Sequence, residues 1–231
     1  MSHFTEATTT YWQHFEAASA HGNAAGPPWQ FAYPARLPDG RVLMLPIRAL
    51  AANTQHGVAS FLINQASLTV AEVIAQQLAA KLQSEFGTQG FDVIVALPTL
   101  GEGVAKQLGF ARLVPLGYSR KFWYDEALSV PVQSITSPTP GKRLYLDPHL
   151  LSLIVGKRVL LIDDAISTGT TLNAAWSLLE ALGAEVAACG VAMLQGKGWQ
   201  ALLGGARARR VVGVFESPLL EAVEGGWRER A

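Results

Sequence analysis

Thirteen consecutive residues, Val159-Leu160-Leu161-Ile162-Asp163-Asp164-Ala165-Ile166-Ser167-Thr168-Gly169-Thr170-Thr171, constrain this chain more than any other segment. Four aliphatic residues in a row are too few for a helix and rich in branched side chains, so they predict a buried strand. Two adjacent carboxylates follow where that strand is expected to leave the sheet, and then small hydroxyl residues around one glycine. From Thr171 to Leu182 the residues Leu172, Ala175, Trp176, Leu179 and Leu182 recur at helical spacing. Strand, acidic pair, small polar loop and helix start together predict a site for a molecule carrying both a sugar diol and a phosphate.

The residue types fit that chemistry. A helix N-terminus offers unpaired N–H groups and a partial positive charge, so a phosphate settles there without Lys or Arg. Ser167, Thr168, Thr170 and Thr171 add hydroxyl donors, and Gly169 lets the backbone approach closely. Ionised Asp163 and Asp164 only accept hydrogen bonds, which suits a ribose 2′,3′-diol or its hydrated Mg²⁺. The plainer alternative is a strand ending in two solvated carboxylates before an ordinary capped helix.

This segment resembles the phosphoribosyl diphosphate (PRPP) binding motif of the type I phosphoribosyltransferases. The resemblance implies that Asp163 and Asp164 take the diol and carry catalysis with Mg²⁺, and that Ala165 through Thr171 wrap the 5′-phosphate. It also implies an α/β fold, an open parallel twisted sheet flanked by helices, with ligands at the carboxyl ends of the strands. The matching loop of the family holds the pyrophosphate, often with a strained peptide bond; Leu97, Pro98, Thr99, Leu100 and Gly101 occupy it here, after an apolar run from Phe91 to Leu97 and before a short helix from Val104 to Leu108. Arg120 and Lys121 follow an expected strand over Ala111–Leu116, as in the adenine and xanthine enzymes, and become pyrophosphate partners with Lys142 and Arg143 on the returning arm. About twenty-five residues from Tyr118 to Arg143 lack periodicity and read as a closing loop. Adenine enzymes place a catalytic Glu near the returning arm; its counterpart is Thr139, which argues for a proton role elsewhere.

A second likeness concerns the acceptor. Ser60-Phe61-Leu62-Ile63-Asn64-Gln65 precedes a long amphipathic helix from Leu68 to about Phe86. Xanthine phosphoribosyltransferases and the related purine-operon repressors carry a similar stretch, in which an Asn matching Ile63 reaches the base, and the neighbouring Asn64 is the substitute. After a strand over Val186–Leu194, Lys197 and Trp199 match a Lys-x-aromatic element of the xanthine-type base pocket; the alternative is a loop Lys beside a core Trp. Val211–Phe215 reads as an edge strand.

The N-terminal third is read separately. Phe4 to Ala20 predicts a helix with Tyr11, Trp12 and Phe15 on its bulky face, and Pro38-Asp39-Gly40 predicts the turn of a β-hairpin joining Phe31–Leu37 to Arg41–Ala49. The expected division is an extension over residues 1–55 and a phosphoribosyltransferase domain over 56–231. Half the residues are apolar and the formal net charge is zero, so neither nucleic acid nor a membrane is expected as a partner. The single cysteine, Cys189, sits in an apolar run and fits a reducing cytoplasm; the five histidines show no metal-ligand spacing. The implied reaction is transfer of ribose 5-phosphate from PRPP to a nucleobase, with a purine expected, Mg²⁺ as cofactor and a homodimer by family analogy. The rival readings are a catalytically silent PRPP- or nucleotide-binding regulatory protein, and a transferase for a non-purine acceptor.

Overall fold

The computed structural model describes residues 9–17, 26–87, 89–132 and 141–230. Five strands make the parallel part of a seven-stranded sheet: β4 (Val93–Ala96), β5 (Val114–Gly117), β8 (Arg158–Ile166), β9 (Glu185–Gln195) and β10 (Val211–Ser217). Two further strands, β6 (Ser129–Pro131) and β7 (Arg143–Leu146), complete the order β10-β9-β8-β4-β5-β7-β6, and β7 runs antiparallel to both neighbours. The sheet is therefore mixed at one edge, where a parallel sheet was expected. Strands of three and four residues are too short to show a period of two, so the 118–143 stretch gave no strand signal.

Alternation along the central strands splits the interior into two cores. Ile94, Ala96, Leu160 and Ile162 pack with α1 (Leu68–Phe86) and α2 (Gly101–Gln107); Val93, Val95, Val159 and Leu161 pack with α3 (Thr170–Ala181) and α4 (Gly198–Ala208). Period-two side chains buried on both faces are what a doubly covered sheet requires. α1 begins where the Ser67 side chain accepts the Val70 N–H at 3.2 Å and stops at Gly87, whose φ is 77°. Its stripe of Val70, Ile74, Leu78 and Leu82 is fully buried, worth roughly 2 kcal/mol per side chain.

A second, antiparallel sheet of order β1-β2-β3-β11-β12 forms a hood: β1 (Ala32–Arg36), β2 (Val42–Leu50), β3 (Asn53–Ala59), β11 (Leu219–Val223) and β12 (Gly226–Glu229). The β1–β2 hairpin turns at Pro38-Asp39-Gly40, with Gly40 at φ 84°. The boundary drawn between residues 55 and 56 falls inside β3, and the hood takes two strands from the chain's far end. Gln195, buried at the end of β9, donates from Nε2 to the Ala59 carbonyl at 2.8 Å and so ties hood to sheet.

The helix expected over Phe4–Ala20 is not formed in its described part. Residues 11–13 make a turn with Trp12 at φ 63°, and Glu16 bridges to Val42 through backbone bonds of 2.8 and 2.9 Å. Trp12 is buried and donates from Nε1 to the Ser60 carbonyl at 3.1 Å. That tertiary anchor, after a β-branched Thr8-Thr9-Thr10 run of weak helix preference, outweighs the apolar spacing. Residues 4–8 and 18–20 lie outside the described residues. Among the described residues, no helix is long and apolar enough to cross a membrane.

Candidate active site

β8 continues past the expected strand end. Asp163 pairs with Val191 on β9, Ala165 with Met193 and Ile166 with Leu194, so both carboxylates rise from strand backbone at the carboxyl end of the sheet. Ala165 and Ile166 consequently belong to the strand, Ile166 being buried, and only Ser167, Thr168 and Gly169 form the bend before α3. The loop after β4 comes to meet them. Asp164 Oδ1 accepts the N–H groups of Thr99 and Leu100, each at 3.2 Å, and the Pro98–Thr99 peptide is cis. Leu97 and Gly101, at the two ends of that loop, are buried.

The two carboxylates differ in surroundings. Burial pushes Asp163 up to about 7, helped by the charge of Asp164 and opposed by the Asp164 N–H on its Oδ1 (2.8 Å) and by Lys142. Burial raises Asp164 to about 6 against the two loop amides. Such groups ionise fully when a cation or a pair of hydroxyl donors arrives. Among the described residues no cluster of three or more His, Cys, Asp or Glu could hold a metal.

Gly169 sits at φ 83° before the first turn of α3, and its carbonyl accepts the Asn173 N–H at 2.8 Å. Thr168 and Thr170 hydroxyls lie 3.1 Å apart across the bend. Beneath the glycine lies Trp199, whose Cβ would be 3.1 Å from a Cβ at position 169. Trp199 is 4% exposed, packs in the α3–α4 core and donates from Nε1 to the Gly196 carbonyl at 3.1 Å. It lies under the bend at Ser167–Gly169, a buried position that matches the alternative of a core Trp beside an exposed Lys. Ile63 is likewise interior, packed in the other core at the start of a 3₁₀ turn over Ile63–Gln65. Asn64 and Lys197 are exposed.

The basic candidates form two groups. Arg120 Nη1 and Arg143 Nε grip one carboxylate, Glu126, at 3.0 and 3.2 Å, while Lys121 is exposed. Lys142 places Nζ over the Tyr118 ring, 3.9 Å from its centroid. Burial first, and then the charges of Asp163 and Asp164, push the Tyr118 phenol up. Tyr118 was legible only as the residue following a strand's carboxyl end. Thr139 lies outside the described residues.

Comparison with known proteins agrees with this geometry. The phosphoribosyl transferase domain family matches residues 59–207, more than half of the chain. The adenine phosphoribosyltransferase of Methylococcus capsulatus is 44% identical over 89 residues, 38% of this chain and 48% of that protein. The hypoxanthine/guanine phosphoribosyltransferase of Methanobacterium lacus is 32% identical over 108 residues, 47% of this chain and 54% of that protein. The chain thus spans about half the length of these curated relatives. Among solved structures, adenine phosphoribosyltransferase from Saccharomyces cerevisiae superposes with a TM-score of 0.56 at 19% identity, covering 74% of this chain and 93% of that one, a likeness of fold. Acidic pair, phosphate bend and facing loop all lie within the matched residues, and the chain belongs to the phosphoribosyl transferase domain family.

Proposed function

We propose that this protein transfers ribose 5-phosphate from PRPP to a purine base and releases pyrophosphate. The observation that carries the reading is the convergence at Asp164. One oxygen holds the Thr99 and Leu100 amides, which brings the loop after β4 to the acidic pair at the strand ends, next to the bend before α3.

In this reading the ribose hydroxyls donate to Asp163 and Asp164, the 5′-phosphate sits at Ser167–Thr171, and the pyrophosphate lies along Leu97–Gly101 with Arg120, Lys121, Lys142 and Arg143 as cationic partners. The C1′–O bond to pyrophosphate breaks, a purine nitrogen bonds to C1′, and the base loses its proton. Positive charge grows on the sugar as the leaving group departs, and preformed charges lower that barrier. Asp163 and Asp164 would hold Mg²⁺ together with the diphosphate, and the ion would supply neutralisation of the leaving group. Asn64 and Lys197 are the exposed polar groups proposed to meet the base. The proposal extends to a homodimer in a reducing cytoplasm, which the buried lone thiol of Cys189 suits.

The test is pyrophosphate release from Mg·PRPP with adenine, guanine, hypoxanthine, xanthine, uracil and orotate in turn. Turnover with one purine supports the proposal. Turnover with uracil or orotate alone refutes the purine acceptor, and tight PRPP binding without turnover on any base refutes the enzyme in favour of a PRPP-sensing regulatory protein.

A further inference from the structure

The antiparallel edge delivers a cation to the site in a way a wholly parallel sheet does not. β7 enters the sheet at the carboxyl end of β5, because its direction is reversed. The pairs Leu116↔Leu146 and Gly117↔Tyr145 carry forward to put Tyr118 opposite Leu144, two residues from Lys142. Side chains two apart share a face, and diagonal neighbours across an antiparallel pair are within reach of long side chains. The Lys142 ammonium accordingly lies on the Tyr118 ring at 3.9 Å, and the Lys142 carbonyl is held by the Val132 N–H at 2.9 Å. The charge of Lys142 lowers the proton affinity of Asp163, yet no ion pair within 4.0 Å joins Lys142 to either carboxylate among the described residues.

We propose that Tyr118 is a positioning residue: its ring face keeps the Lys142 ammonium beside the acidic pair without letting the two neutralise each other, leaving the cation to meet the pyrophosphate of the sugar donor. The inference rests on the PRPP reading above. Without the ring, a flexible ammonium next to two buried carboxylates collapses onto them and competes with the diol. The ring face offers a partial negative charge that holds the cation yet yields to a diphosphate.

The experiment is calorimetric titration of Mg·PRPP into the full chain and into Tyr118→Leu, Tyr118→Phe, Lys142→Met and the Leu/Met double variant. Tyr118→Leu is expected to weaken binding roughly two- to thirtyfold, the range of one cation–π contact from exposed to desolvated. Tyr118→Phe, which keeps the ring, recovers most of that loss, and the double variant binds no worse than Lys142→Met alone. Equal losses from Phe and Leu, or additive losses in the double variant, overturn the positioning role while leaving PRPP binding intact. Absence of Mg·PRPP binding by the parent chain overturns both. Should the Leu variant not fold, proton NMR of the parent decides: the ε-methylene resonances of Lys142 are expected upfield from the ring current and move downfield on adding Mg·PRPP. Unshifted resonances refute the contact.

Discussion

Gly101 offers the sharpest test of how the sheet supports the site. It opens α2 directly after the loop that binds Asp164, it is buried, and its φ is not positive, so alanine suits its backbone. A methyl group there would overlap the Ala96 methyl, with Leu113 Cδ2 next at 3.6 Å. Ala96 cannot retreat, because it pairs with Ile162 of β8 on one side and Pro115 of β5 on the other. The overlap must therefore displace the start of α2, and with it the Thr99 and Leu100 amides that hold Asp164 at 3.2 Å. Overpacking costs about 1–3 kcal/mol, of which alanine's better helix preference returns up to about 1. Gly101→Ala should then lose about 1–2 kcal/mol, a fall in Tm of roughly 2–8 °C for a chain of this size. Ala96→Gly removes the opposing methyl, so the double variant should regain stability relative to Gly101→Ala. Urea denaturation of the four proteins gives the coupling energy, and Mg·PRPP titration reads the loop. Losing a charge-assisted bond of the loop corresponds to roughly ten- to 150-fold in affinity. A Gly101→Ala protein melting at or above the parent, or strictly additive substitutions, would refute the argument.

Other outcomes follow from single contacts. Asp163→Asn with Asp164→Asn should abolish Mg·PRPP binding by calorimetry while the circular dichroism spectrum is retained; unchanged affinity removes the diol site. Because burial raises Asp163 to about 7 and Asp164 to about 6, the folded chain holds more protons than the unfolded one between about pH 4 and about 7. Stability in EDTA should therefore fall as pH rises through that window, and Asp163→Asn should flatten the slope in urea titrations at several pH values. Gln195→Ala leaves the Ala59 carbonyl buried without its 2.8 Å donor and should cost about 1–3 kcal/mol by chemical denaturation; a loss within error would mean the hood is held otherwise. Trp199→Ala should cost roughly 3–5 kcal/mol, whereas a base-pocket wall would show chiefly as a raised KM for the acceptor with stability intact.

What the sequence disclosed was local and periodic. Val159–Ile162 and the Leu68–Phe86 stripe gave their elements because each carries its own period, and Gly40 and Gly169 marked turns because both adopt positive φ. The order strand, acidic pair, bend and helix was legible because those elements follow one another in sequence. Contacts between distant segments were not. Nothing near Leu219–Val223 announces that it pairs with β3, more than 150 residues earlier. The burial of Trp199 was not legible either: spacing from Lys197 cannot tell which side of the first turn of α4 faces the core. Trp12 satisfied a helical stripe, but its indole N–H found the Ser60 carbonyl instead.

Placing two carboxylates on adjacent strand positions resolves a conflict between folding and ligand binding. A buried carboxylate without partners is costly, and two of them on one face repel. Adjacent residues of a strand point to opposite sides, so Asp163 and Asp164 have separate surroundings despite their closeness in sequence. Asp164 spends one oxygen on two loop amides, which fixes the loop after β4; Asp163 Oδ1 accepts the Asp164 N–H, and its carboxyl feels the charge of Lys142. Shifting the acidic residues to positions i and i+2 would put both charges on one side and leave the loop amides without an acceptor. The Asp-Asp step therefore lets one carboxylate be structural at one oxygen while, in the proposed reading, the pair meets a diol, and burial raises the proton affinity of both, a pattern expected of a site built for a ligand more than for stability.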